Sequence, residues 1–256
     1  MIIQDHDLFL KNFFREINAH LLKTQPEAQE VWFELSEIET LKGFDEVGLI
    51  DFLSYFDSID FIEEKYSKFL VVDKIRFILD EIKILDVDVS TASNIIDCYG
   101  FESLIEAILI ENNFKTIKNF RFSCSRVKEQ GIEHKYRFEI DVLGYSNNKL
   151  LVIDAKKWKK RDPFSALNKA ANKQYIRALS LSKDERALSD VLKNLKSPDL
   201  KVKKKSLLKI IPLLVTLENC HFKINENDIP IVSIFQFNNF LQELDKNIYF
   251  FNVINI

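Results

Sequence analysis

The sequence predicts a mixed α/β protein in two parts: a helical first part, then a part in which helices and strands alternate. Two patterns and one imbalance carry this expectation. Apolar residues across 5–88 recur at helical spacing, whereas FEIDVLGYS (138–146), KLLVIDAKK (149–157), IIPLLVTLE (210–218) and IPIVSIF (229–235) read as strands. Charge segregates with the same division. Residues 1–95 hold 9 Lys and Arg against 20 Asp and Glu, net −11, and residues 96–256 carry net +8, within a total of −3. An acidic domain over 1–95 and a basic one over 96–256 are therefore expected, with different partners.

Composition removes several classes of function. The 256 residues are 46% apolar and 29% charged, an ordinary soluble balance. No run approaches the ~18 apolar residues that a membrane span needs. Glycine is scarce (5 residues), and neither GxGxxG nor GxxxxGK[ST] occurs, which argues against dinucleotide and P-loop enzymes. Cys98, Cys124 and Cys220 form no CxxC, so neither a structural zinc nor a disulfide framework is expected. The opening MIIQDHDLFLKNFFREI is acidic and amphipathic, unlike a signal peptide, and the cytoplasm is the expected compartment.

In the first part, Leu8, Phe9, Phe13, Ile17 and Leu21 mark one helix. Pro26 is expected to open a second through Val31, Trp32, Leu35 and Ile38. After a break at Lys42-Gly43-Phe44, Leu49 to Phe56, Phe61 to Leu70 and Ile75 to Leu85 continue the helical reading. His6 and His20 are isolated, and no catalytic grouping is visible. This part is expected to serve interaction or substrate selection, with a partner left open.

The segment 86–97 reads as the boundary. A helix follows, lined by Phe101, Leu104, Ile105 and Ile108 and stopped at Asn112-Asn113, with Glu102 and Glu106 one turn apart. Phe120 to Cys124 is a candidate first strand. Residues 135–145 and 149–157 pair as a hairpin across Asn147-Asn148. Asp162-Pro163 opens a helix to about 182, and a polar, lysine-rich stretch covers 184–209. Strands at 210–218 and 229–235, a helix at 237–244 and a strand or tail at 248–254 complete the chain.

The chemistry concentrates in the hairpin. Side chains alternate between strand faces, so Glu139 and Asp141 share a face of the first strand, Asp154 and Lys156 share a face of the second, and in a hairpin these carboxylates and the ammonium can converge at one end. Carboxylates among Val, Leu and Ile are costly to bury unless paired, and a divalent cation would pair them, with Lys156 beside a phosphate. Lys157, Lys159, Lys160 and Arg161 follow directly, and Lys173 and Arg177 lie on the next helix, a candidate phosphate-contacting track.

A helix glutamate, then IDVLG, then IDAKKW, then a helix bearing Gln174-Tyr175 resembles the PD-(D/E)xK nuclease superfamily, and is similar to Mrr-type nucleases and archaeal Holliday-junction resolvases. Asp141 matches the first acidic position, with Ile140 where the motif has Pro, and Asp154-Ala155-Lys156 matches (D/E)xK. Glu102 matches the helix acid, with Glu106 as the alternative. Glu139, Gln174 and Tyr175 match accessory positions. The resemblance covers roughly 98–245. It implies a restriction-endonuclease-like mixed β-sheet flanked by helices, here preceded by an all-α domain. It also implies DNA phosphodiester hydrolysis with Mg²⁺, for which Mn²⁺ substitutes. Asp141, Asp154, the Ala155 carbonyl and Glu102 would bind the metal, and Lys156 would position or activate the water. A homodimer is compatible with the resemblance. The alternatives are an inactive nucleic-acid or protein-binding module on the same fold, and an RNA-cleaving nuclease.

Overall fold

The computed structural model describes residues 2–85, 93–129, 132–157, 164–195, 207–217 and 223–256. The chain divides into two compact units, Met1–Leu104 and Ile105–Ile256. Among the described residues, no helix is long and apolar enough to cross a membrane.

The first unit is not all-helical. Helix α1 (Ile2–Leu21) is followed by strand β1 (Glu30–Glu34), two 3₁₀ turns, helix α2 (Glu46–Leu53), strands β2 (Ile59–Glu64) and β3 (Ser67–Asp73) and helix α3 (Lys74–Leu85). The strands make an antiparallel sheet in the order β1-β3-β2. The expected helices through Val31–Ile38 and Phe61–Leu70 are thus corrected to strands. EVWFE, IDFIEE and SKFLVVD are rich in aromatic and β-branched residues, which suit a pleated surface. Short side chains cap the helices locally. Asp45 accepts from Gly48 N at 2.8 Å, and Asp73 from Ile75 N and Arg76 N at 2.9 and 3.0 Å.

Aromatic rings fill the core of this unit. Phe13 meets Phe52 at 5.1 Å between centroids, and Phe14 meets Phe77 at 5.2 Å. Glu81 sits in this unit at 6% exposure. Its Oε1 accepts from Asn18 Nδ2 at 3.5 Å, and its Oε2 is buried without a hydrogen-bond partner among the described residues. Burial raises its carboxyl to about 7.

The second unit begins inside helix α4 (Cys98–Glu111), which Asp97 caps by accepting from Gly100 N at 2.7 Å. Asn113, at φ 61°, ends the helix in the left-handed region that asparagine tolerates. Strands β4 (Lys115–Glu129), β5 (Ile132–Ser146) and β6 (Lys149–Lys156) run as an antiparallel meander. Asn147 and Asn148, at φ 48° and 59°, form the two-residue turn that the sequence predicts, and both φ values match a type I′ hairpin. Helices α5 (Phe164–Lys183) and α6 (Glu185–Leu195) lead to β7 (Lys209–Thr216), which is parallel to β6. Strand β8 (Lys223–Ile224), strand β9 (Pro230–Ser233), helix α7 (Ile234–Asn247) and strand β10 (Ile254–Asn255) follow. The sheet order is β4-β5-β6-β7-β9-β8, with β10 against the start of β7.

The central strand β6 is buried along almost its whole length. Two apolar clusters pack against the sheet, both with residues of α5. Ile140, Leu150 and Val152 pack with Ala178, Leu181 and Leu188, while Leu214 and Ile231 pack with Leu167, Ala170 and Ala171. Gly144 lets β5 approach α4, because a Cβ there would lie 3.1 Å from both Leu109 methyl carbons. The expected first strand at 120–124 is longer, and the tail at 248–254 resolves into a 3₁₀ turn and β10. Most of the expected boundary segment, 86–92, and the lysines 201–205 lie outside the described residues.

The Glu81 carboxyl generates a test. Its pKa rises from 4.5 to about 7 on folding, so the folded state holds its proton more tightly. Stability should therefore fall as pH rises from about 4.5 through 7, and the penalty persists above that range. Glu81→Gln should raise stability at pH 8 by up to roughly 3 kcal/mol and leave it little changed at pH 4. Urea melts at the two pH values check this, and an equal effect at both contradicts it.

Candidate metal and nucleic-acid site

Asp141 and Asp154 face each other where the β5–β6 ladder ends. The last register pair is Val142 opposite Ile153, so the next position sets Asp141 against Asp154. The backbone ladder stops there, and the Asp141 side chain replaces it: Oδ2 accepts from Ala155 N at 2.8 Å. A carboxylate satisfies the N–H that a strand carbonyl would otherwise take. Strand β6 continues beyond this point against β7, as far as Lys156 opposite Thr216. The two strands therefore part at Asp141 while Asp154 and Lys156 stay fixed by their other neighbour.

Asp154 is 2% exposed. A charge this deep needs partners, and both oxygens have one. Lys156 Nζ is 2.9 Å from Oδ2, and Arg177 Nη1 donates to Oδ1 at 2.6 Å. Gln174 on α5 is fully buried, and its Oε1 accepts from the same Arg177 Nη1 at 3.0 Å. Gln174 and Arg177 are three residues apart on a helix, which puts them on one face. Lys156 Nζ also lies 3.4 Å from the Ala155 carbonyl oxygen.

Burial pushes the Asp141 carboxyl up, and the negative charge of Asp154 pushes it further. The Ala155 N–H, Lys156 and Arg177 act in the opposite direction. A carboxyl whose ionisation is opposed by burial and by a neighbouring carboxylate is one that a hard divalent cation would relieve. Mg²⁺ commonly takes one or two carboxylates and completes its shell with water and phosphate oxygens, so Asp141, Asp154 and the Ala155 carbonyl fit it chemically. Among the described residues, no three His, Cys, Asp or Glu side chains gather closely enough to hold a metal by themselves.

The remaining expected residues fall in different places. Glu102 lies in the first unit, with a buried carboxylate oxygen. Glu106 is committed to β4: its Oε1 accepts from Thr116 Oγ1 at 2.9 Å, and its Oε2 pairs with Lys118 at 3.0 Å. It clamps helix to strand. Glu139 is exposed and pairs across the strands with Arg121, which donates from Nε and Nη2 at 3.1 and 2.8 Å. Tyr175 packs on the apolar layer around Leu214. Lys173 is exposed on α5, and Lys157 is partly exposed after β6. Lys159, Lys160 and Arg161 lie outside the described residues. Arg177, expected on the phosphate track, is bound to Asp154.

No family model matches the chain, and no curated protein matches it. Among solved structures, the chain is similar to protein VC1899 from Vibrio cholerae, at 15% identity and a TM-score of 0.34. The similarity covers 94% of this chain and 53% of that one, so the chain spans about half that protein's length. A likeness this remote carries no argument about fold or function.

The raised Asp141 carboxyl sets a pH dependence. A cation at this pair must displace the proton that Asp141 retains above its ordinary 3.8. Mn²⁺ affinity should therefore strengthen as pH rises above that value, with proton release on binding. Calorimetry in two buffers of different ionisation enthalpy measures the release. Affinity independent of pH from 4 to 7 would count against the pair as ligands.

Proposed function

We propose that the second unit is a restriction-endonuclease-like nuclease domain that hydrolyses DNA phosphodiester bonds with Mg²⁺. The observation that carries this reading is the pair Asp141 and Asp154 at the opening between β5 and β6, with Lys156 on Asp154. The element order of helix, three-strand meander, helix and parallel strand supports it, as does the basic charge of residues 96–256.

The residues divide the work. Asp141 and Asp154 would hold the cation with the Ala155 carbonyl. When bound, Mg²⁺ supplies charge neutralisation for the phosphoryl oxygens and acidifies a coordinated water. Lys156, with its side chain about a quarter exposed, keeps its ammonium on Asp154 Oδ2. It orients the attacking water and donates to the oxygen on which negative charge grows. Asp154 fixes the Lys156 ammonium in that position. Lys157 and Lys173 attract the phosphate backbone.

One observation favours a second reading, a non-catalytic nucleic-acid-binding module on the same fold. Both oxygens of Asp154 are already neutralised by Lys156 and Arg177, which makes a self-sufficient ion cluster. Mn²⁺ binding separates the readings, because only the nuclease requires binding that depends on Asp141 and Asp154.

The direct test is incubation with matched DNA and RNA panels in Mg²⁺ or Mn²⁺. Wild-type protein should cleave DNA, and Asp154→Asn and Lys156→Ala should each lose about 10²-fold or more in rate. Equal cleavage by all three proteins, or none by any, would overturn the enzymatic reading. Preferential cleavage of RNA would move the substrate class.

A further inference from the structure

We propose that Arg177 is a positioning residue that couples metal binding to nucleic-acid binding: it stays on Asp154 Oδ1 until a phosphodiester takes over its guanidinium. The inference rests on the metal-dependent nuclease reading and extends it to how the site loads.

The geometry gives Arg177 two anchors and one outlet. Its Nη1 is shared between Asp154 Oδ1 at 2.6 Å and Gln174 Oε1 at 3.0 Å. Both acceptors are almost wholly shielded from water, at 2% and 0% exposure. The Arg177 side chain itself is 26% exposed, so the guanidinium bridges the buried carboxylate and the surface. Lys156 closes the other oxygen of Asp154. A divalent cation that approaches Asp154 therefore meets two resident cations on one carboxylate.

Charge decides the consequence. Metal binding without nucleic acid sets a dication beside a guanidinium and weakens the bond that neutralises it. Nucleic acid without metal offers a phosphate to an arginine already satisfied by Asp154. With both present, the metal takes over Asp154 and the phosphate oxygens take over the guanidinium. Arginine suits that exchange, since its planar fork matches the paired oxygens of a phosphodiester. Each ligand therefore favours the other, and the linkage is reciprocal. Gln174 keeps the guanidinium near the site throughout, through an acceptor that carries no charge.

Mn²⁺ titration by calorimetry tests this, with and without a fully phosphorothioate DNA duplex that resists cleavage. Wild-type protein, Arg177→Met, Arg177→Lys and Asp154→Ala are compared. In wild-type protein, the duplex should tighten Mn²⁺ binding by about tenfold or more. In Arg177→Met, duplex-free affinity should rise about tenfold and the gain from the duplex should shrink by a similar factor. Arg177→Lys keeps the charge and loses the fork, so it should lose part of the gain. If Arg177→Met fails to fold, Arg177→Lys carries the comparison. A purely structural ion pair predicts the same duplex-induced gain in wild-type and variants, and that result overturns the proposal while leaving the nuclease reading intact. Absence of any Mn²⁺ binding that Asp154→Ala removes, with or without duplex, overturns both.

Discussion

The buried charge of Asp154 is the constraint on which the second unit's site depends. It stands at 2% exposure on a strand whose other residues are almost all buried and apolar. An isolated carboxylate in that position would cost several kcal/mol. The chain meets the requirement with cations from two elements, Lys156 two residues along the same strand and Arg177 from helix α5. Removing either cation would leave one buried oxygen of Asp154 without its partner, so the three side chains act as one unit. That coupling makes the cluster a single ion group built from two elements.

The hairpin sets the cluster's geometry through the way its ladder ends. Asp141 takes the Ala155 N–H with its side chain as the two strands separate, so that donor stays satisfied. The parallel partner β7 holds β6 in place through Lys156, so the opening forms between β5 and β6 alone. The end of the ladder brings together two carboxylates, a backbone carbonyl and an ammonium on strands rather than on a loop. Rigid placement matters for phosphoryl chemistry, where positioning and charge stabilisation account for most of the catalysis.

Legibility from sequence differed by element for physical reasons. The Asn147-Asn148 turn was readable because a type I′ hairpin needs two residues that tolerate positive φ, and asparagine does. The Asp45 and Asp73 caps use side-chain bonds within three residues, so their signals are also local. The strands of the first unit were not readable. Each is a short apolar run whose periodicity fits helix and strand alike, and their pairing sets Glu30 against Asp73, far apart in the chain. Within the site, the proximity of Asp141, Asp154 and Lys156 followed from strand alternation and one short turn. The departures were longer-range: Glu106 spent on Thr116 and Lys118, and Glu139 on Arg121.

The sequence by itself determined the hairpin, the convergence of its two aspartates and the placement of Lys156 beside Asp154, because period-two geometry and a two-residue turn fix them locally. It also determined the split between an acidic part and a basic part. Only the tertiary structure decided which cations neutralise Asp154. Arg177 reaches it from a helix 23 residues further along the chain, and no local rule distinguishes that arginine from its solvent-facing neighbours. Burial decides it: packing α5 over the sheet removes water from Asp154, and the nearest guanidinium on the covering face becomes its partner.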